Sequence, residues 1–263
     1  MNKIIVILTS LLLIVGCEKE VSSLQERNGV YYEINSEKGF TGNLIKKYPN
    51  GQKMSEGHHK DGKREGIYTD WYENGKKMNE SNYKDGKPEG IAAWYENGQK
   101  ESEINTKNGK QEGLTTRWYG NGQKKSEGNY KDGKHEGLAT AWDENGKKQG
   151  ELNYKDGEIE GLTTVWYENG KKQAESNNKD GKHEGLATNW GENGQKEFEL
   201  NYKDGKPEGL VTSWYGNGQK KSEGNYKDGK LEGLVTNWDE NGQKESEMIF
   251  KNGEKETQKD FIK

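Results

Sequence analysis

Gly224-Asn225-Tyr226-Lys227-Asp228-Gly229-Lys230-Leu231-Glu232-Gly233-Leu234-Val235-Thr236-Asn237-Trp238-Asp239-Glu240-Asn241-Gly242-Gln243-Lys244 is the stretch on which the fold turns. It holds two Gly-containing turn dipeptides, Asp228-Gly229 and Asn241-Gly242, and nearly the same stretch recurs along the chain. Trp71, Trp94, Trp118, Trp142, Trp166, Trp190, Trp214 and Trp238 are separated by one step of 23 residues and then six of 24. The Gly of each Glu-Gly pair keeps the same beat, and a decayed ninth copy begins at Gly42, with Lys47 where Trp is expected. A fixed period of this size marks a repeat architecture.

Asn-Gly and Asp-Gly favour type I′ turns, where both central residues need positive φ and the turn's twist suits the strands it joins. The segments between turns run nine and eleven residues, which is strand length and leaves no room for a three-turn helix. Each 24-residue unit therefore reads as two strands and two tight turns. The spacing predicts an all-β, elongated, single-layer antiparallel meander of tandem hairpins. In that register Trp214 faces Lys221, Thr212 faces Glu223 and Leu210 faces Asn225. Across the next turn Tyr226 faces Leu231, Glu223 faces Leu234 and Lys221 faces Thr236. Leu210, Thr212 and Trp214 then line one side and Val211, Tyr215 and Tyr226 the other.

Composition agrees with a thin sheet. Hydrophobic residues make up 27% of the 263-residue chain and charged residues 33%, with a mean hydropathy of −1.34. That is too little apolar volume for a thick core. Eight Trp and fourteen Tyr argue against a solvated random coil. A formal net charge of −4 gives no general case for nucleic-acid binding.

The Gly224–Lys244 unit looks like a MORN-type repeat in its bacterial variant form. Asn28-Gly29-Val30-Tyr31-Tyr32, followed by Gly39-Phe40-Thr41-Gly42, resembles the usual opening of such chains. The resemblance spans residues 28–253 and implies a MORN-like solenoid of β-hairpins. Many bacterial members carry a label as antitoxin components of toxin–antitoxin modules, and eukaryotic relatives are associated with membranes and protein scaffolding. The resemblance supplies no catalytic residues.

The N-terminus carries an address. Lys3 precedes an apolar run from Ile4 to Val15, broken only by Thr9 and Ser10. The run is shorter than the ~20 residues of a spanning helix and has the proportions of a signal-peptide core. Ile14-Val15-Gly16-Cys17 resembles a bacterial lipobox, which implies cleavage before Cys17 and a diacylglyceryl group on its thiol. Cys17 is the sole Cys, and lipidation removes what would be a free thiol in an exported protein. The expected organisation is a lipoprotein signal peptide (1–16), a tether (17–27) and a repeat array (28–263).

No catalytic or metal site is expected. The four His include two at equivalent repeat positions, His135 and His183, which duplication explains. Carboxylate pairs recur from copy to copy, whereas an active site is a singular constellation. No Gly-rich loop ends in Gly-Lys-Ser/Thr, so no phosphate cradle or cofactor is expected. The turn tips, such as Lys203-Asp204-Gly205-Lys206, read as solvated residues that guard against edge-to-edge pairing rather than as a basic rail. The candidate binding surface is the row Trp118, Trp142, Trp166, Trp190, Trp214 and Trp238. The expected function is a non-enzymatic envelope lipoprotein, held at a membrane through Cys17, whose sheet binds an unidentified protein partner. The alternatives are an antitoxin or immunity protein and a cell-wall or glycan-binding module.

Overall fold

The computed structural model describes residues 19–261; the signal segment and Cys17 lie outside the described residues. No helix occurs among the described residues. Two compact units divide the chain, Met1–Lys87 and Pro88–Lys263.

In unit 1, strands Gly42–Lys47, Lys53–Lys60, Lys63–Trp71 and Lys77–Lys84 form an antiparallel meander. The segment read as a tether carries strands of its own. Glu20–Val21 pairs in parallel with Asn43 and Leu44, and Gln25–Arg27 forms a hairpin with Val30–Tyr32. That hairpin is fastened to the Asp61-Gly62 tip: Tyr31 N–H donates to Gly62 O at 2.8 Å, and Gly62 N–H to Phe40 O at 2.8 Å. The apolar residues Phe40, Leu44 and Tyr68 are buried there, so this end has a small core. These short strands cap the sheet at this end.

Unit 2 is a single-layer meander in which each strand pairs with its sequence neighbours. Its last strand, Glu254–Asp260, is exposed along its whole length and rich in charge, which suits an edge that must not recruit another chain. A buried Thr row (Thr116, Thr140, Thr164, Thr188, Thr212, Thr236) runs through unit 2, where Leu200 and Val235 are the buried apolar residues.

The Asp-Gly tips are the expected type I′ turns, as with Asp228 at φ 50° and Gly229 at φ 85°. Asn108-Gly109 and Asn252-Gly253, which stand at the same repeat position, turn the same way, but the Asn-Gly loops that follow the Trp strands do not. Gly218 has φ 87° but Asn217 does not have positive φ. Tyr215 N–H donates to Gln219 O, and Gly218 N–H to Tyr215 O, both at 2.9 Å. This is a three-residue loop, a type I turn closed by a left-handed Gly. The Asn217 side chain accepts from Gln219 N–H at 2.9 Å and donates to Glu240 O in the next loop at 2.8 Å. That double use holds Asn in the right-handed conformation. The longer loop shifts the register, so Trp214 pairs with Lys220 rather than Lys221, while Thr212–Glu223 and Leu210–Asn225 stand as expected.

A second shift follows each Asp-Gly tip. Tyr226 pairs with Leu231 as expected, but Glu223 pairs with Thr236, not Leu234, and Lys221 is not Thr236's partner. Two extra residues bulge out of the outgoing strand at Glu232-Gly233, where Gly233 has φ 82°. The bulge frees the Glu side chain to reach the following tip. Glu208 Oε2 accepts the Asp228 backbone N–H at 2.8 Å, and Glu232 Oε2 accepts that of Asn252 at 2.8 Å. The Glu of each Glu-Gly pair thus ties one repeat to the next.

Candidate binding surfaces

Leu, Thr and Trp at spacing n, n+2 and n+4 form three parallel rows in unit 2. The Trp row comes together as expected: Trp118, Trp142, Trp166, Trp190, Trp214 and Trp238 are all half-buried at strand ends. Each ring has the ammonium of the preceding repeat over it, from Lys100 over Trp118 at 5.5 Å to Lys148 over Trp166 at 6.0 Å. The same lysines pair with a Glu three residues on, as Lys100 does with Glu103 at 2.8 Å. These pairs are largely exposed and add little individually. Their arrangement over the indole faces makes them part of the packing, since the Lys stem covers apolar area while the head stays wet.

The Trp carbonyls are also engaged. Tyr95, Tyr119, Tyr167 and Tyr215 donate their hydroxyls to the carbonyls of Trp118, Trp142, Trp190 and Trp238 at 2.8–2.9 Å. The equivalent Tyr is Asp143 before Trp166 and Gly191 before Trp214, so the ladder skips those two. Beside Trp166 lies a groove of about 540 Å³ lined by Gln149, Tyr167, Asn169, Gln173, Glu168 and Glu192.

The sequence pattern places the Leu residues on the same side of the sheet as the Trp row. The structure leaves Leu114, Leu138, Leu162, Leu186, Leu210 and Leu234 between 42% and 52% exposed. Each pairs across the strand with an Asn, as in Leu138–Asn153 and Leu210–Asn225, except Leu234, which pairs with Ile249. Alternate strands therefore present Leu about 9.6 Å apart, twice the strand spacing. Their recurrence in every copy was visible; their outward orientation depends on the bulges on either side.

Unit 1 carries a different surface. Lys46, Ser55 and Asp70 stand side by side on three strands, Leu44, Gly57, Tyr68 and Ser81 form the next row, and His59 and Arg64 the next. The Asp70 carboxylate accepts from Ser55 Oγ at 2.6 Å. Burial raises the Tyr68 and Tyr31 phenols above the usual range. Burial, with the Arg64 and His58 charges, holds His59 down to about 4, so its ring is neutral near pH 7. His135, packed between Tyr130 and Tyr154, is lowered by burial and by Arg117. Among the described residues no three His, Cys, Asp or Glu side chains gather as a metal site.

The repeat geometry has a counterpart among known families. The sequence model described as MORN repeat variant matches eight times, at residues 64–85, 88–108, 111–132, 136–156, 159–180, 184–204, 207–228 and 231–252. The chain belongs to the MORN repeat variant family. Each match begins before a Trp, runs through the Asn-Gly loop after it and ends at the tip beyond, at an Asp or, for two copies, at Asn108 and Asn252. The Trp-less hairpin Gly42–Lys60 precedes the first match, yet its loop has the same bonds, Tyr48 N–H to Gln52 O and Gly51 N–H to Tyr48 O at 2.9 Å. A search of the curated proteins finds no match. Membership in this family makes the chain a repeat protein with a binding role.

Proposed function

We propose that this MORN repeat variant chain is a non-enzymatic envelope lipoprotein, anchored through acylated Cys17, whose sheet docks a protein partner. One observation carries the docking: the Leu row of unit 2, half-exposed in six successive repeats. A row of identical apolar side chains at regular spacing offers the same contact many times over, which suits a partner with its own periodicity. The anchor is supported by Lys3, the short apolar run and Gly16-Cys17. Cross-linked pull-down of the anchored protein tests both halves. A partner captured by wild type and lost in the Leu162→Ser, Leu186→Ser, Leu210→Ser triple variant supports the reading. The same set of captured proteins from both sinks it. Cys17→Ser should move the protein to the soluble envelope fraction or leave it unprocessed; unchanged fractionation and migration refute the anchor.

The groove at Trp166 favours glycan binding as a second reading. An indole and a phenol beside amides and carboxylates suit a polyhydroxy ligand. Binding to purified wall material that is lost in Trp166→Ala would select it.

A further inference from the structure

The repeat pattern breaks once in a way that makes a site. In unit 1 a hollow of about 410 Å³ opens over the sheet, within the usual size range of small-molecule pockets. Arg64 and Lys46 stand at its ends, Tyr68 lies between them, and Tyr48, Met54 and Met78 form apolar wall. Tyr68 can lie flat because residue 57 is Gly: a Cβ there would fall inside the Tyr68 ring.

Arg64 is the unusual member. Its guanidinium sits 4.6 Å from the Tyr68 ring centroid, 5.2 Å from Tyr83 and 5.5 Å from Tyr31. Nη1 donates to the Tyr83 hydroxyl at 3.0 Å. Nε is buried with no hydrogen-bond partner. Among the described residues no carboxylate pairs with Arg64 or with Lys46. The one acid in the hollow, Asp70, is turned to Ser55. The hollow therefore holds two unpaired cations and one carboxylate, a net of one positive charge. A part-buried cation with an unbonded N–H is costly without a counter-ion. The planar guanidinium fork matches a carboxylate, and a single net charge suits one better than a dianion.

Unit 2 does not rebuild this arrangement. Arg64 is answered by Gln111, Ile159 and Leu231 in later copies, and Asp70 by Ala141, Val165 and Ser213. We propose that unit 1 binds a small organic monocarboxylate, with its carboxylate on Arg64 and its body over Tyr68 against Met54 and Met78. Lys46, Ser55 and Asp70 then face the far end of the ligand and select for a polar group there.

Isothermal titration of the full chain with benzoate, with benzamide as the neutral isostere and inorganic phosphate as the competing oxyanion, tests the site. Benzoate should bind with a Kd of about 1 mM or tighter, and benzamide should not. Arg64→Gln should weaken benzoate about tenfold or more, the effect of losing a charge-assisted pair. Arg117→Gln in unit 2 should leave it unchanged. Should Arg64→Gln fail to fold by circular dichroism, Asp70→Asn serves in its place: removing the local negative charge should tighten benzoate severalfold. Absence of benzoate binding, equal binding of benzoate and benzamide, or Arg64-dependent phosphate binding without benzoate binding each overturns the assignment. So does an Asp70→Asn variant that leaves benzoate binding unaltered.

Discussion

His59 makes unit 1 sensitive to acid. Its side chain is 0% exposed, neither ring nitrogen has a hydrogen-bond partner, and Tyr31, Phe40 and Tyr68 surround it at centroid distances of 4.8, 6.0 and 6.0 Å. Burial first, then the Arg64 and His58 charges, lowers its pKa from 6.5 to about 4. The folded form thus refuses a proton that the unfolded chain accepts between those values. Stability is full above pH 6.5, falls as pH drops through the window, and levels off below about 4. The whole gap is worth about 3 kcal/mol, of which about 2 is lost by about pH 5. Hydrogen exchange on peptides covering residues 53–71, corrected for intrinsic rates, reads the opening free energy of this region directly. His59→Phe keeps the aromatic volume and removes the titration. The difference between wild type and variant cancels pH effects that arise elsewhere in the chain. That difference should change by about 2 kcal/mol between about pH 7.5 and about pH 5. A difference constant to within about 0.5 kcal/mol over that range would show that His59 is not held neutral by its surroundings.

Gly57→Ala should destabilise unit 1 by about 1–3 kcal/mol in thermal or urea unfolding, because the new methyl would overlap the Tyr68 ring. Gly128→Ala, whose Cβ would meet Ala139 Cβ at 3.4 Å, should be tolerated. Glu208→Ala removes the acceptor of the Asp228 N–H and should cost about 0.5–1.5 kcal/mol, read by faster exchange of that amide. Trp166→Ala should cost on the order of 2 kcal/mol in urea unfolding, less than a fully buried Trp, because the residue is partly exposed. Deleting Gly161 to Glu184 joins Glu160 to Gly185, restores a Glu-Gly bulge and should give a folded chain by circular dichroism, whereas deleting twelve of those residues should not.

The hairpin repeat was legible because turn dipeptides and Trp share one period, and every copy votes for the same reading. Details that depend on backbone conformation within the period were not. Asn-Gly alone does not state the loop length: the dipeptide fits a two-residue type I′ turn as well as the three-residue loop found here. Asn217 also bridges to Glu240 in the next loop, a contact between repeats that no local pattern shows, while at Asn241 the same loop is held by the Asp239 carboxylate. The Glu-Gly bulge did leave a signal. A Gly that recurs within a strand and belongs to no turn marks a bulge or a close approach. Reading Gly233 that way would have moved Thr236 opposite Glu223 and left Leu234 facing Ile249.

Repetition also divides the residues by what they can do. A contact present in every copy, such as Lys over Trp or Glu on the following tip, is needed wherever two repeats meet, so it belongs to the sheet. The Leu row repeats as regularly, pairs across the strands with Asn or, for Leu234, with Ile249, and stays between 42% and 52% exposed, which is the observation behind the proposed docking. The Arg64, Tyr68 and Asp70 set does neither: it appears once, at the end where the cap supplies Tyr31 and Phe40 to bury His59 beside it. The enclosure by Tyr31 and Tyr68 at this end makes an unpaired guanidinium costly. The proposed carboxylate site thus lies where the repeat decays, apart from the regular rows that build the long surface.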